Sequence, residues 1–524
     1  MADTERSTLL GGRWLADNFD IDPCCGFPVS STVGSRRESR HHGFESHEVY
    51  PESMRPVESL DGHLQFHLRY EPTNLELLTR VFEASGPDFV RVWVEREPTG
   101  QYARRAAFLY EFLTGLELET DAAVGGNYVS ALNDDLVVTA NQDQAVNIKK
   151  WRVRDNMPGT RYFCPAIWKS QRLEGAAGFN ITARYARLQE DFGDDMLARA
   201  AVWLTNRESK ASFAIEGEAD QTDKIALFSH VLATRTGKGA IPFLGTALVE
   251  LQKDIIGSKT LISSFGPRKS PVFVGENTLR GEVVHYVAPP PEDLKDMLDG
   301  LATFLEKTKG QSPILRAAVA SFGFVYIHPL ADGNGRTHRY LINDILCRDN
   351  AIPDGVIIPV SVAIIADKTS KRHYDAILER ISIPLMRVAR PHVSFALEYT
   401  TYPDGIQSNF VFTGDGATRP AWRYPDLAAH VEYLGQVIEL TMNDHMQEEA
   451  DYLRRHHRAR GLIKDVLDMP DKDADRIIGS LLSNNFNVGK GLRKEFSGPE
   501  VTRQVTDEEW KGFVEGVRSA FQND

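Results

Sequence analysis

Two helical stretches joined by one charged loop constrain this 524-residue chain more than any other feature. Ile314–Ile327 is strongly apolar and opens on Ser312-Pro313, a cap followed by a residue preset for the first helical turn. His328-Pro329 closes it, because the residue before a proline is driven out of helical geometry. A second helix is expected over Arg336–Arg348, and between the two runs Leu330-Ala331-Asp332-Gly333-Asn334-Gly335.

That loop carries chemistry. Gly333 and Gly335 can take positive φ, so successive backbone N–H groups can converge into a nest for an anion. The second helix starts at the nest, where its free N–H groups and dipole favour phosphate. Arg336 and Arg339 are three residues apart, near one another on that helix, and both can fork onto phosphate oxygens. Asp332 stands where a carboxylate could hold a Mg²⁺ that bridges phosphates. His328 is the one nearby group whose ordinary pKa allows proton removal near neutrality. The set describes phosphoryl or nucleotidyl transfer to a hydroxyl, driven by positioning and charge stabilisation.

The rest of the chain reads as mostly α. Apolar residues recur at helical spacing over Asn74–Ala84 and Ala103–Leu118, with Gly115 near the second helix's end. A helical tract leads to Ser212–Gly217, where Gly217 is a plausible stop. More helix follows over 225–265, interrupted by Thr236-Gly237-Lys238-Gly239, which lacks the flanking residues of a phosphate loop. Residues 270–288 read as a hairpin with a turn near Gly275–Asn277, ended by Pro289-Pro290-Pro291. Asp426–Lys464 is a long amphipathic helical region and Ala474–Leu482 a shorter helix. Residues 1–60 are expected to be loops with one short helix, and 120–175 a linking arm or hairpins.

Net charge is −13, which argues against non-specific binding to nucleic acid or an anionic membrane. The longest apolar run, Val356–Ala366, falls short of the ~20 residues of a membrane span. The start, Met1-Ala2-Asp3-Thr4-Glu5, shows no secretory pattern. Four cysteines without metal-ligand spacing fit a reducing compartment, so a cytoplasmic location is expected. Cys347 reads as a small core residue.

The stretch His328–Arg339 resembles the motif of the Fic (Fido) family, His-Pro-Phe-x-Asp/Glu-Gly-Asn-Gly-Arg-x-x-Arg, with Leu330 in place of phenylalanine. The resemblance implies a mainly α protein: a helical Fic core with a β-hairpin flap. It also implies AMPylation, the transfer of AMP from ATP to a Tyr, Ser or Thr hydroxyl of a protein, with ATP and Mg²⁺ required. On this chain His328 would be the general base and Asp332 the Mg²⁺ ligand. Gly333, Asn334 and Gly335 would hold the α- and β-phosphates, Arg336 the β-phosphate and Arg339 the γ-phosphate. Ser212-Phe213-Ala214-Ile215-Glu216-Gly217 is similar to the family's inhibitory motif, of the class whose inhibitory helix lies N-terminal in the same chain. Ser212 and Glu216 share a helix face, and Glu216 could pair with Arg339 and take the γ-phosphate position. The hairpin is similar to the Fic flap, which takes up a target segment as an added strand. Tyr374 is similar in position to residues that contact the nucleotide base, and Asp375 stands where a second tyrosine is usual. Kinase-like relatives carry lysine at the position of Gly335, so this glycine favours AMP transfer.

These readings divide the chain into an N-terminal extension of Fic-associated type (1–175), the Fic core (176–405) and a C-terminal helical module (406–524), possible in winged-helix form. Within the core fall an inhibitory helix near 199–217, a flap near 268–288 and the motif 328–339. Expected partners are a target protein with a modifiable hydroxyl, the chain itself as a target, and a second copy in a dimer, with no membrane. Alternatives are removal of AMP, transfer of another nucleotide, or a regulatory or toxin–antitoxin module that binds DNA or a partner. A basic set including Arg454, Arg458, Lys490 and Arg493 bears on DNA contact, though a solvated helical face explains it too.

Overall fold

The computed structural model describes residues 8–257, 260, 262–278, 281–497 and 504–522, with only the backbone of Asp195 and Asn277. It is mainly helical, with small sheets, and its contacts divide it into two units. One takes residues up to Asn180 together with Asn206–Glu439, the other Ile181–Thr205 and Leu440 onward.

The larger unit begins with a surprise. Where loops and one helix were expected, the helix Gly11–Asn18 sits beside a four-stranded sheet. Val29–Gly34 runs parallel to Glu45–Pro51, which pairs antiparallel with Glu38–His42. The strand Glu45–Pro51 alternates inward and outward, but two of its inward residues are Ser46 and Glu48. Ser46 and Ser39 donate their hydroxyls to Glu48 at 2.7 and 2.6 Å, so polar side chains satisfy one another on the buried face. A period-2 pattern written in polar residues is invisible to a hydrophobicity count.

Next come Leu60–Tyr70, Leu75–Arg96 and Gln101–Thr114. Asn74 caps the second by accepting from the Leu77 N–H, and Gly86 at φ 72 kinks it ahead of Pro87. Gly115, left-handed at φ 69, ends the third. Of the two forms expected for residues 120–175, the hairpin is present: Val146–Ile148 pairs antiparallel with Val153–Asp155 in a three-stranded sheet, and Trp151, Phe163, Cys164 and Ile167 are buried.

Two helices form the centre of this unit, Pro313–Ile327 and Asn334–Arg348, packed along one another. Both are buried on nearly every side, which is the physical meaning of the apolar block at Ile314–Ile327. Cys347 is buried on the second, and the Gly237 turn packs on its sulfur. The flap pairs Phe273–Thr278 with Gly281–Val287, so Gly275–Asn277, where a turn is expected, belong to its first strand. A second hairpin, Val393–Thr401 with Gln407–Phe412, sets Phe395 and Phe410 against Phe273 at the flap base. It crosses the boundary expected at 405/406, and Trp422 beyond it donates to the Val287 carbonyl at 3.1 Å. The unit therefore runs on to Glu439.

The smaller unit holds Ile181–Phe192, the first part of Asp194–Ile215, Met446–Val466, Asp471–Ser483, Lys490–Ser497 and Asp507–Gln522. Its core is built from Ile463, Ile477, Leu481, Trp510, Phe513 and Val517. The long helical region expected over Asp426–Lys464 is present, as Ala428–Leu440 and Met446–Val466 joined by a π-helical turn at Thr441–His445. Among the described residues this unit has no strand, so no wing is seen; residues 498–503 lie outside them.

Candidate active site

The site is built at the junction of the two central helices. Pro313–Ile327 ends at His328, which takes the left-handed conformation at φ 49, ψ 54. A histidine there is held by its surroundings at a cost of about 1–3 kcal/mol. Its ring Nδ1 lies 3.1 Å from the Val325 carbonyl, so Nδ1–H donates and Nε2 keeps its lone pair. Burial pushes the imidazole down to about 4, and the Arg268 charge adds to that. The ring is therefore neutral at physiological pH, the form a proton acceptor needs.

Leu330 is fully buried and fills the anchoring position, and its backbone bridges to Pro267 at the flap base. Asn334 closes the loop: its side chain accepts from the Leu330 N–H at 3.0 Å and donates to the Leu330 carbonyl at 2.8 Å. That leaves its backbone N–H, rather than its amide, to face an anion. Gly333 is the one loop glycine with positive φ, at 94, and caps the helix Asn334–Arg348. Gly335 does not share it. It lies in the first helical turn, and its lack of a side chain serves another purpose: a Cβ there would stand 2.2 Å from Glu216 Oε1.

Glu216 follows the helix Asp194–Ile215, and its carboxylate rests over the N-terminal turn of Asn334–Arg348. Oε1 accepts from Arg339 Nη2 at 2.5 Å, and Oε2 lies 3.2 Å from Arg336 Nε. Ser212, one turn earlier and fully buried, accepts from Arg339 Nε at 2.6 Å through its hydroxyl, and its carbonyl accepts from Nη2 at 3.0 Å. Burial works against the Arg339 charge, but the Glu216 carboxylate more than offsets this and holds its pKa above the ordinary arginine value. Arg336 is buried too, over the Phe213 ring at 5.1 Å, with Nη2 donating to Asp332 at 2.9 Å. The structure thus gathers His328, Gly333, Gly335, Arg336, Arg339, Ser212 and Glu216 in one place. A carboxylate sits where helix dipole and arginines converge, as an anion would.

The Asp332 side chain is 47% exposed at the mouth of the loop. A Mg²⁺ that keeps most of its water and is shared with phosphates needs one or two carboxylates, and Asp332 fits that role. Tyr374 is a core side chain, 4% exposed, near His338 and Tyr433.

Several supporting residues escape a sequence reading. Arg268 donates to the His328 carbonyl at 2.8 Å. Gln252 donates to the Asp332 carbonyl at 3.0 Å and accepts from the Gly266 N–H at 2.7 Å. Asp404 accepts from the Lys269 and Ser270 N–H groups at 2.6 and 2.9 Å. Glu208, two turns before Glu216, accepts from the Ser361 N–H and hydroxyl at 2.8 and 2.5 Å. For Asp404 there was a signal, the Asp-Gly turn between two apolar runs. For the others there was none, because each acts across a large sequence separation.

The Fic/DOC family model matches residues 246–346, from the helix Gly245–Ile256 through the flap into Asn334–Arg348. Over those residues the chain carries a Fic/DOC-type domain. It is 37% identical over 113 residues to protein adenylyltransferase fic-1 of Caenorhabditis briggsae, 22% of this chain and 20% of that protein. It is 34% identical over 114 residues to protein adenylyltransferase Fic of Drosophila ananassae, 21% of each chain. It spans about a fifth of the length of these relatives. A Fic family protein from Desulfovibrio desulfuricans G20 superposes at TM-score 0.38 with 16% identity, covering 66% of this chain and 99% of that one. Ser212, Glu216 and Tyr374 lie outside the matched domain. No described helix is long and apolar enough to cross a membrane.

Proposed function

We propose that this protein is an adenylyltransferase that moves AMP from ATP to a hydroxyl of a protein, and that Glu216 restrains it. The observation that carries the proposal is the Glu216 carboxylate lying against both Arg336 and Arg339 at the N-terminus of Asn334–Arg348. That position suits a terminal phosphate. In the transfer, the Gly333 turn and the N–H groups of the first helical turn bind the phosphate chain, and the two arginines stabilise its charge. His328 Nε2 takes the proton of the attacking hydroxyl, which forms the bond to the α-phosphorus as the pyrophosphate oxygen leaves. Asp332 would hold the Mg²⁺ that arrives with ATP and supplies further charge neutralisation at the phosphates. With Glu216 in place, the terminal phosphate meets a carboxylate instead of free guanidinium groups, and the productive arrangement is lost.

The position of the label separates nucleotidyl from phosphoryl transfer. Glu216→Gly protein incubated with Mg²⁺ and ATP labelled on the α-phosphate should retain label after denaturation, and γ-labelled ATP should leave none. Retention of γ label would overturn the reading in favour of a kinase.

A further inference from the structure

We propose that Arg268 is a positioning residue for the transfer: its guanidinium joins the backbone of His328 to both ends of the flap, holding base and acceptor strand in one frame. The inference rests on the reading of His328 as the base.

Arg268 is 1% exposed and has no ion-pair partner among the described residues. All three arms of its fork go to backbone carbonyls. Nε donates to His328 at 2.8 Å, Nη1 to Ser270 at 2.8 Å, and Nη2 to Pro289. Ser270 precedes the first flap strand and Pro289 follows the second. The Arg268 N–H donates to the Pro329 carbonyl at 2.8 Å, so main chain and side chain grip successive residues of the motif. Asp404 fixes the same segment from the second hairpin through Lys269 and Ser270.

A buried cation that bonds only to neutral carbonyls is costly to place, and burial pushes its pKa down to about 10. Hydrophobic side chains fill space more favourably, so the fold needs what arginine alone offers: a planar, rigid fork that is still charged at neutral pH. The fork fixes the His328 carbonyl and so helps to hold the left-handed backbone that aims the ring. Burial is the main reason the imidazole stays unprotonated, and the Arg268 charge, held at the same residue's carbonyl, lowers its pKa further. Other charged groups of the site are engaged elsewhere: Asp332 with Arg336, and Arg336 and Arg339 with Glu216.

Two variants separate the fork from the charge, both made in the Glu216→Gly background. Arg268→Lys keeps the charge and loses the fork, and Arg268→Met loses both. His328 is titrated by NMR of ring-labelled protein, its signals identified by their loss in His328→Ala. Calorimetry reads ATP·Mg affinity, and label incorporation reads transfer. The His328 pKa should rise by about one unit in Arg268→Met and stay near the parent value in Arg268→Lys. Transfer should slow about tenfold or more in both, with ATP affinity within about threefold, because the phosphate nest is untouched. A parent-like His328 pKa in the methionine variant, or parent-like transfer in the lysine variant, overturns the proposal. If the methionine variant does not fold, the lysine variant decides by transfer against ATP affinity. The titration requires no catalysis, so it stands even if the label experiment rejects AMP transfer.

Discussion

At the scale of single residues, the site turns on which groups share one small space. Gly335 was expected as half of a phosphate nest, yet only Gly333 has the positive φ that a nest turn needs. Gly335 leaves room over the helix N-terminus, and Glu216 fills that room. Ser212 makes the arrangement stiffer by accepting from the same guanidinium that Glu216 holds. Hydrogen bonds to a charged group contribute about 1.5–3 kcal/mol. Ser212→Ala should therefore loosen Glu216 and raise label incorporation by about tenfold, less than Glu216→Gly does. Comparing initial rates of the two variants checks this, and a Ser212→Ala rate equal to the parent's would show that Glu216 needs no such help. The motif letters made Arg336 and Arg339 legible as neighbours in the first turns of one helix, and His328-Pro329 as the end of the helix before it. The Asn334 side-chain amide is spent on Leu330, a contact four residues back that loop chemistry does not announce, which leaves its backbone N–H for an anion.

At the scale of elements, Glu208, Ser212 and Glu216 fall at intervals of four, the first two on one face of the helix Asp194–Ile215 and Glu216 just past its end; Ser212 and Glu216 meet Arg339, and Glu208 meets Ser361. Glu208 docks that face on the Ser361 backbone and hydroxyl, and burial pushes its carboxyl up to about 7 from the ordinary 4.5. The folded chain then binds a proton that the unfolded chain has released, so this group costs stability as pH rises from about 4.5 to about 7, and the full cost of about 3 kcal/mol stands above that window. Glu208→Gln removes the ionisation and keeps an acceptor for the Ser361 N–H. Its melting temperature should match or exceed the parent's at pH 8, and the gap should shrink at pH 5. Glu208→Ala should melt lower at both, since it strands the Ser361 groups. Melts showing the glutamine variant less stable at pH 8 than at pH 5, relative to the parent, would reverse the sign and refute the account. The central helices were readable because their burial is written in apolar residues. The N-terminal sheet was not, because Ser46 and Glu48 occupy its buried face. The flap was readable, but Gly275–Asn277 lie within its first strand, and Gly275 marks a register shift there instead of a turn.

At the scale of the molecule, the matched Fic domain accounts for about a fifth of the chain, and what lies outside it supplies much of what holds the site. Glu216 comes from before the domain, and Asp404 from after it. The second hairpin straddles the boundary expected at 405/406, because a boundary set where a family resemblance thins carries no information about strand pairing. The central claim remains that one helix N-terminus serves either a carboxylate of the chain or the phosphates of ATP. Intact mass of Glu216→Gly protein after incubation with ATP and Mg²⁺ tests it most directly, beside the parent and a Glu216→Gly/His328→Ala control. The account predicts a gain of one or more AMP units in the single variant, little in the parent and none in the control. A parent that gains as much AMP as the variant, or a control that gains any, would contradict it.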